Sequence, residues 1–235
     1  MELKHYRKKG IRHFWLADET ISATQLDLIS KALLEEKISI YYGVMLRPTS
    51  DFTYGIMRRM YRSGCRVVIW GAESFNQRIL DLMKKGTRAK DIKKILAFAH
   101  RVGLNNVVYM IQGFPTQTEA EIIKDIKVLR KILKYLSNFG IQKFCLYENT
   151  YIFRNYAKFG LKIIKRNFLL KGDDFRLPST EFLYRSKIQP NWKRINMKLS
   201  KNHKNGALPG VFDDAGLFYN KEHMLLHAAE KSCKH

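Results

Sequence analysis

The groups with the most chemical potential in this chain recur just after short apolar runs: Asp18-Glu19-Thr20, Arg47, Gly71-Ala72-Glu73-Ser74, Gln112-Gly113-Phe114-Pro115 and Tyr147-Glu148-Asn149-Thr150. If the apolar runs are parallel strands, these groups sit at carboxyl ends and should converge on one rim. Carboxylates, one guanidinium, amides and hydroxyls on a rim suit a polar ligand with an amino group, a carboxylate and a ribose. The planar fork of Arg47 suits a carboxylate through paired hydrogen bonds. Glu19 and Glu73 suit an ammonium or ribose hydroxyls. Gly71 and Gly113 remove side chains where a flat ring would approach the backbone. Each group also has a structural reading: Asp18 and Ser74 are helix-cap types, Arg47 has Glu19 and Glu73 as ion-pair partners, and Gly71 and Pro115 suit turns. His13 and His100 read as surface residues, and no catalytic residue is assigned.

Cys65, Cys145 and Cys233 are the only cysteines. No two lie at metal-ligand spacing, so no metal site or disulfide is expected. Cys65 and Cys145 fall in or beside apolar strand patterns and read as buried thiols; Cys233 reads as exposed.

Five strands are expected, at His13–Ala17, Ser39–Leu46, Arg66–Trp70, Asn106–Ile111 and Gln142–Leu146, each short and rich in β-branched or aromatic residues. Their near-continuous apolar character suits strands covered on both faces. Helices lie between them. Ser22 with Gln25, Ser74 with Gln77 and Thr118 with Glu121 have capping-box spacing, and Thr87 is a cap candidate. The longest helix should carry Ile122, Ile126, Leu129, Leu133 and Leu136 along one stripe. Gly64, Gly86, Gly103 and Gly140 stand where left-handed helix C-terminal glycines belong. Alternation with short connections implies an α/β fold with a parallel sheet and right-handed crossovers. A partial TIM-like (β/α) barrel is expected, with a doubly wound open sheet as the alternative. No Gly-x-Gly-x-x-Gly follows a strand, which argues against dinucleotide binding.

After about Gly160 the pattern degrades. Residues 1–160 are expected to form the barrel and 161–235 a basic extension, with strand or packing segments at Phe168–Leu170 and Glu181–Tyr184, a loop at Lys198–Gly206 and a terminal helix at Lys221–Lys231. The chain is 235 residues long with 46% hydrophobic residues, enough for one large domain or a domain plus an extension. No run of about eighteen apolar residues exists, and the N-terminus lacks a secretory pattern, so no membrane span and a cytoplasmic location are expected. The formal charge of +22 fits either an anionic partner or a lysine-rich solvated surface. Many cations fall on outer helix faces and read as solvated, such as Lys84, Lys85, Lys93, Lys94, Lys127 and Lys131. The tail around Lys187, Arg194, Lys198, Lys201 and Lys204 is the denser site for nonspecific nucleic-acid contact.

The segments FWLADETIS, LRP, RSGCRVVIWGAESFNQRILDLMKKGT, HRVGLNNVVYMIQGFPTQTEAE and KFCLYENTYIFRNYAKFGL, between Phe14 and Leu161, are individually weak and jointly specific. In order and spacing they resemble strands two to six of the radical S-adenosylmethionine (SAM) superfamily, in the branch often fused to cobalamin-binding domains. The resemblance implies a partial (β/α)₆ barrel and SAM as cofactor. It implies Glu19 at the methionyl amino group, Glu73 and Ser74 at ribose or methionyl groups, and Arg47 as a basic position on the third strand. It also implies Ile111, Gln112 and Gly113 as the wall near adenine, and Tyr147 near adenine or substrate. Members hold a [4Fe–4S] cluster on a Cys-x-x-x-Cys-x-x-Cys loop after the first strand, and this sequence contains no such loop. The expectation is therefore a radical SAM core without its first βα unit, truncated or split and inactive alone. Cobalamin would belong to an upstream domain, and the cluster loop to a separate chain or segment. The alternatives are a degenerate barrel acting as a binding module and a basic nucleic-acid-binding protein.

Overall fold

The computed structural model describes residues 2–18, 21–148, 150–166 and 179–184. Among these the chain divides into two compact units, residues 2–110 with 127–140, and residues 111–126 with 141–166 and 179–184.

Along the chain come α1 (Glu2–Lys8), β1 (His13–Leu16), α2 (Ala23–Glu35), β2 (Tyr41–Leu46), α3 (Tyr54–Arg62), β3 (Cys65–Glu73), α4 (Gln77–Leu82), α5 (Ala89–Arg101) and β4 (Asn105–Gln112). They are followed by α6 (Glu119–Ile132), β5 (Asn138–Lys143), β6 (Leu146–Tyr147), α7 (Tyr151–Arg154), β7 (Leu161–Arg166) and β8 (Ser179–Tyr184). The first five strands form a parallel sheet in sequence order, β1-β2-β3-β4-β5, and the sheet is not closed. This is the α/β, partial-barrel architecture that the strand–helix alternation implies.

In the first unit, Val44, Val68, Trp70 and Val108 of the strands are fully buried, as are Leu26, Met57, Met60, Ile92 and Leu96 of the helices. Each such side chain contributes about 1.5–3 kcal/mol relative to exposure. One polar group is built into this core. Asn106, fully buried on β4, accepts from Trp70 Nε1 at 2.8 Å and donates to the Leu96 and Tyr135 carbonyls at 3.1 and 2.9 Å. Its amide satisfies an indole and two backbone oxygens that would otherwise be stranded. On the outside of the sheet, Asp27 of α2 takes hydrogen bonds from Arg59 of α3 and Lys31, tying the two helices together.

In the second unit, Ile122 and Ile126 of α6 are fully buried, and β6-β8-β7 form a small antiparallel sheet. Strand β8 covers the Glu181–Tyr184 segment expected from sequence. Phe168–Leu170, Lys198–Gly206, Lys221–Lys231 and the basic tail lie outside the described residues.

The capping boxes at Ser22/Gln25 and Thr118/Glu121 form as expected. Other local readings need correction. The fifth strand runs Asn138–Lys143, not Gln142–Leu146. Gly140 therefore lies inside a strand and has no left-handed backbone. Its small size serves close approach instead, since a Cβ there would stand 2.9 Å from the Tyr109 ring. Helix α4 is capped by Asn76, whose Oδ1 accepts from Arg78 N at 3.0 Å, while Ser74 Oγ accepts from Asn76 N at 3.0 Å. Ser74 thus shapes the turn that delivers the cap. Thr87 does not cap α5, which starts after Arg88 without a side-chain cap. Helix α6 ends at Ile132 and continues as one tighter 3₁₀ turn, so the expected stripe stops short of Leu136.

Candidate functional site

The carboxyl end of β3 departs most from regular geometry. Pairing with β4 slips between Gly71 and Glu73, and Glu73 adopts φ +59. A left-handed backbone costs a non-glycine residue about 1–2 kcal/mol, and such conformations concentrate at functional sites. The slip and the left-handed turn fold the Glu73 carboxylate back over β3. A Cβ on Gly71 would stand 3.2 Å from Glu73 Oε1, so the missing side chain at Gly71 makes room for the carboxylate.

Lys85 Nζ donates to the same oxygen at 2.7 Å, and the Glu73 side chain is only 12% exposed. Lys85 is delivered by the tight turn after α4, where Lys84 and Gly86 both have positive φ, 53 and 65. Gln77 clamps that turn to α5: its Oε1 accepts from Ala89 N at 2.9 Å and its Nε2 donates to the Thr87 carbonyl at 3.3 Å. Oε2 of Glu73 receives no hydrogen bond among the described residues, which leaves acceptor capacity on a half-buried anion.

Leu46 at the end of β2 is the register partner of Trp70, so Arg47 follows beside Gly71 on the neighbouring strand. It is exposed, and Glu73 pairs with Lys85 rather than with Arg47. Ser74 is fully buried. Arg47, Gly71, Glu73, Ser74 and Lys85 therefore gather at adjacent strand ends of the first unit. Glu19 lies outside the described residues.

Ile111, Gln112, Gly113 and Tyr147 belong to the second unit. Gln112 is fully buried, its Nε2 donating to Asp125 Oδ2 of α6 at 3.4 Å while its Oε1 has no partner among the described residues. Gln117 shares that carboxylate at 3.2 Å and accepts from the backbone N–H of Gly113 and Phe114 at 2.8 and 3.3 Å. The Gly-Phe-Pro turn is thus held from beneath by a buried amide–carboxylate cluster, with Phe114 edge-on to Phe144. Tyr147 is half-buried and its carbonyl accepts from Thr150 Oγ1, which caps α7. Burial pushes both the Tyr147 hydroxyl and the neighbouring Cys145 thiol above their ordinary values.

The described thiols, Cys65 and Cys145, do not fit an iron–sulfur cluster. Among the described residues no three His, Cys, Asp or Glu side chains are placed to hold a metal. Cys65 is buried inside β3, and desolvation raises its thiol to about 12. Cys233 lies outside the described residues. No helix among them is long and apolar enough to cross a membrane.

Lys85, Asn106, Gln117 and Asp125 were missing from the expected site and core. Asn106 opens an otherwise apolar strand run and Asp125 falls on the apolar stripe of α6, three residues after Ile122; both are visible signals. Lys85 and Gln117 give no comparable signal, because lysine and glutamine in turns are ordinarily solvated.

The Radical SAM superfamily profile matches residues 1–129. A curated relative, an uncharacterized methyltransferase of Pyrococcus horikoshii, is 27% identical over 134 residues, covering 56% of this chain and 29% of that protein. The radical SAM methyltransferase TsrM of Kitasatospora setae, solved with cobalamin and a [4Fe–4S] cluster, shares the fold at TM-score 0.59 and 16% identity, over 69% of this chain and 32% of that one. The same enzyme with tryptophan and a SAM analogue aligns at TM-score 0.57 and 16% identity, over 82% of this chain and 40% of that one. The chain thus spans less than half the length of each of these relatives. Matched by the superfamily profile across more than half of its residues, with the open parallel sheet to accompany the match, the chain belongs to the radical SAM superfamily.

Proposed function

We propose that this chain holds S-adenosylmethionine at the carboxyl ends of β2 and β3, as one portion of a methyltransferase of the radical SAM type. The observation that carries the reading is Glu73: a strained, half-buried carboxylate folded into the space left by Gly71, steadied on one oxygen by Lys85 and open to a donor on the other. An ammonium is the donor such an anion selects. Arg47, exposed on the adjacent strand, offers a forked partner for the methionyl carboxylate. Ser74 keeps the β3–α4 turn in place. For the second unit taken by itself, Ile111, Gln112, Gly113 and Tyr147 are proposed as a wall able to face a nucleoside, with Gln112 Oε1 and Glu148 Oε1 as buried acceptors lacking a partner among the described residues.

Bound SAM supplies an activated methyl group and is the source of the 5′-deoxyadenosyl radical. The described thiols do not fit the cluster that reductive cleavage requires, so no step is assigned to them, and cluster and cobalamin are proposed to be held by other segments or chains. The same thiol arrangement favours a second reading, a binding module without radical chemistry.

Calorimetric titration of the full chain with SAM tests the ligand. Saturable one-to-one binding is expected, weakened tenfold or more by Glu73→Gln, which equals about 1.4 kcal/mol. Undiminished affinity in a Glu73→Gln protein of unchanged melting temperature would overturn the assignment.

A further inference from the structure

The outer surface of α3 and α5 carries a pattern that SAM binding does not use. The two helices pack side by side in the first unit. On α3, Tyr54, Arg58 and Arg62 share one stripe by their four-residue spacing, and on α5 Lys90, Lys94, Phe98 and Arg101 do so at spacings of four, four and three. The stripes meet at a seam, where the Tyr54 and Phe98 rings stand edge to face with centroids 5.8 Å apart. Arg101 lies over Tyr54 at 5.2 Å and Lys94 over Phe98 at 5.5 Å. Past the end of α5, Lys134 covers Tyr135 at 5.2 Å, and the Tyr135 ring also meets His100.

Cation–aromatic pairs of this kind occur roughly once per 70–80 residues in proteins. Here two of them stand together on the seam of a single helix pair, with a third on the 3₁₀ turn that follows α6. Helix α3 contains no acidic residue, and the one acid of α5, Asp91, is paired with Arg88 at 3.3 Å. Arg58, Arg62, Lys94 and Arg101 are exposed and have no carboxylate partner among the described ion pairs. Among the described ion pairs, the other cation of these helices that is neutralised is Arg59, which meets Asp27 on the side toward α2. Such a face carries an unbalanced positive potential that attracts a polyanion.

We infer that this seam is a docking surface for a single-stranded polynucleotide, with the cations on its phosphates and the half-buried Tyr54 and Phe98 rings beneath its bases. Two observations favour a polynucleotide over an anionic membrane. The rings are interleaved with the cations, as in stacking platforms for single strands. No large exposed aliphatic or aromatic residue stands on the face to enter a bilayer, the exposed ones being Tyr6, Ile11, Trp15, Leu28, Leu82 and Tyr151. The surface reads charge and base planes, not sequence, and is built from residues other than those of the basic tail.

The test uses the full chain and a fluorescein-labelled 20-nucleotide oligouridine RNA, with anisotropy followed from low to physiological salt. A face variant carries Arg58→Gln, Arg62→Gln, Lys94→Gln and Arg101→Gln, which keeps polar stems on the rings. A control variant loses the same charge elsewhere, through Lys8→Gln, Lys9→Gln, Lys127→Gln and Lys158→Gln. Each phosphate contact contributes about 0.7 to the log–log salt slope on single strands. The face variant should flatten that slope by about 2–3 and weaken binding at least tenfold, while the control changes affinity less than threefold. Equal losses in both variants, or no loss in a face variant that keeps its melting temperature, would overturn the inference. Face-dependent capture by phosphatidylserine vesicles without RNA binding would do so as well.

Discussion

Glu73 adopts a backbone conformation that costs free energy, and the surrounding residues explain how it persists. Gly71 vacates the space, Lys85 supplies the counter-charge and Asn76 starts the next helix. A second residue-scale cluster stores its cost differently. Cys65 and Tyr42 are both buried, with Tyr42 Oη held by Ser63 Oγ at 3.0 Å and Ser30 Oγ at 3.4 Å. Desolvation is the main cause that raises each group, from 9.0 for the thiol and 10.0 for the phenol, to about 12. In the unfolded chain both deprotonate at the lower values; in the folded chain both stay neutral. Their contribution is therefore complete below about pH 9 and is lost as pH rises from there toward 12. Urea denaturation should show the midpoint falling between pH 9 and 11, with Cys65→Ala delaying the onset by removing the first group to ionise. A midpoint that is flat over this range would mean that neither group is shielded as the packing implies.

At the scale of elements, tight connections set the sheet. Gly64 has φ +108, and a Cβ there would collide with the Ile40 carbonyl, so α3 enters β3 only through glycine. Gly64→Ala should destabilise by more than about 2 kcal/mol, from strain and collision together, measured as a lowered melting temperature. An unchanged melting temperature would show that the α3–β3 turn relaxes freely. Gly64 was legible in the sequence, as were the first four strands and the caps at Ser22 and Thr118, because apolar period, cap residue and glycine position agree there. Where two signals competed, tertiary contacts decided. Gly140 resembled a helix stop but makes room for Tyr109, and Ser74 resembled a cap but supports Asn76. The site was legible only as strand-end chemistry: Arg47, Glu73 and Gln112 follow apolar runs. Lys85 stayed hidden, since nothing local distinguishes a lysine that closes on a carboxylate twelve residues away from a solvated one. Asn106 and Asp125 stood out as polar residues at apolar positions, but the partners they satisfy are set by tertiary contacts.

For the molecule as a whole, the polar strand-end groups are distributed over two units, and the chain spans only 29% to 40% of the relatives and structures it matches. Its place in the radical SAM superfamily rests on the matched residues and on the open parallel sheet. Its proposed role rests on the first unit presenting a prepared anion at the ends of β2 and β3. Amide hydrogen exchange of the full chain, with and without saturating SAM, reads that arrangement peptide by peptide. Protection gained at residues 46–48 and 71–75, with α1 and the outer faces of α3 and α5 unchanged, is the expected result. Saturating SAM that leaves the β2 and β3 carboxyl ends unprotected, or protects only segments remote from them, would contradict it.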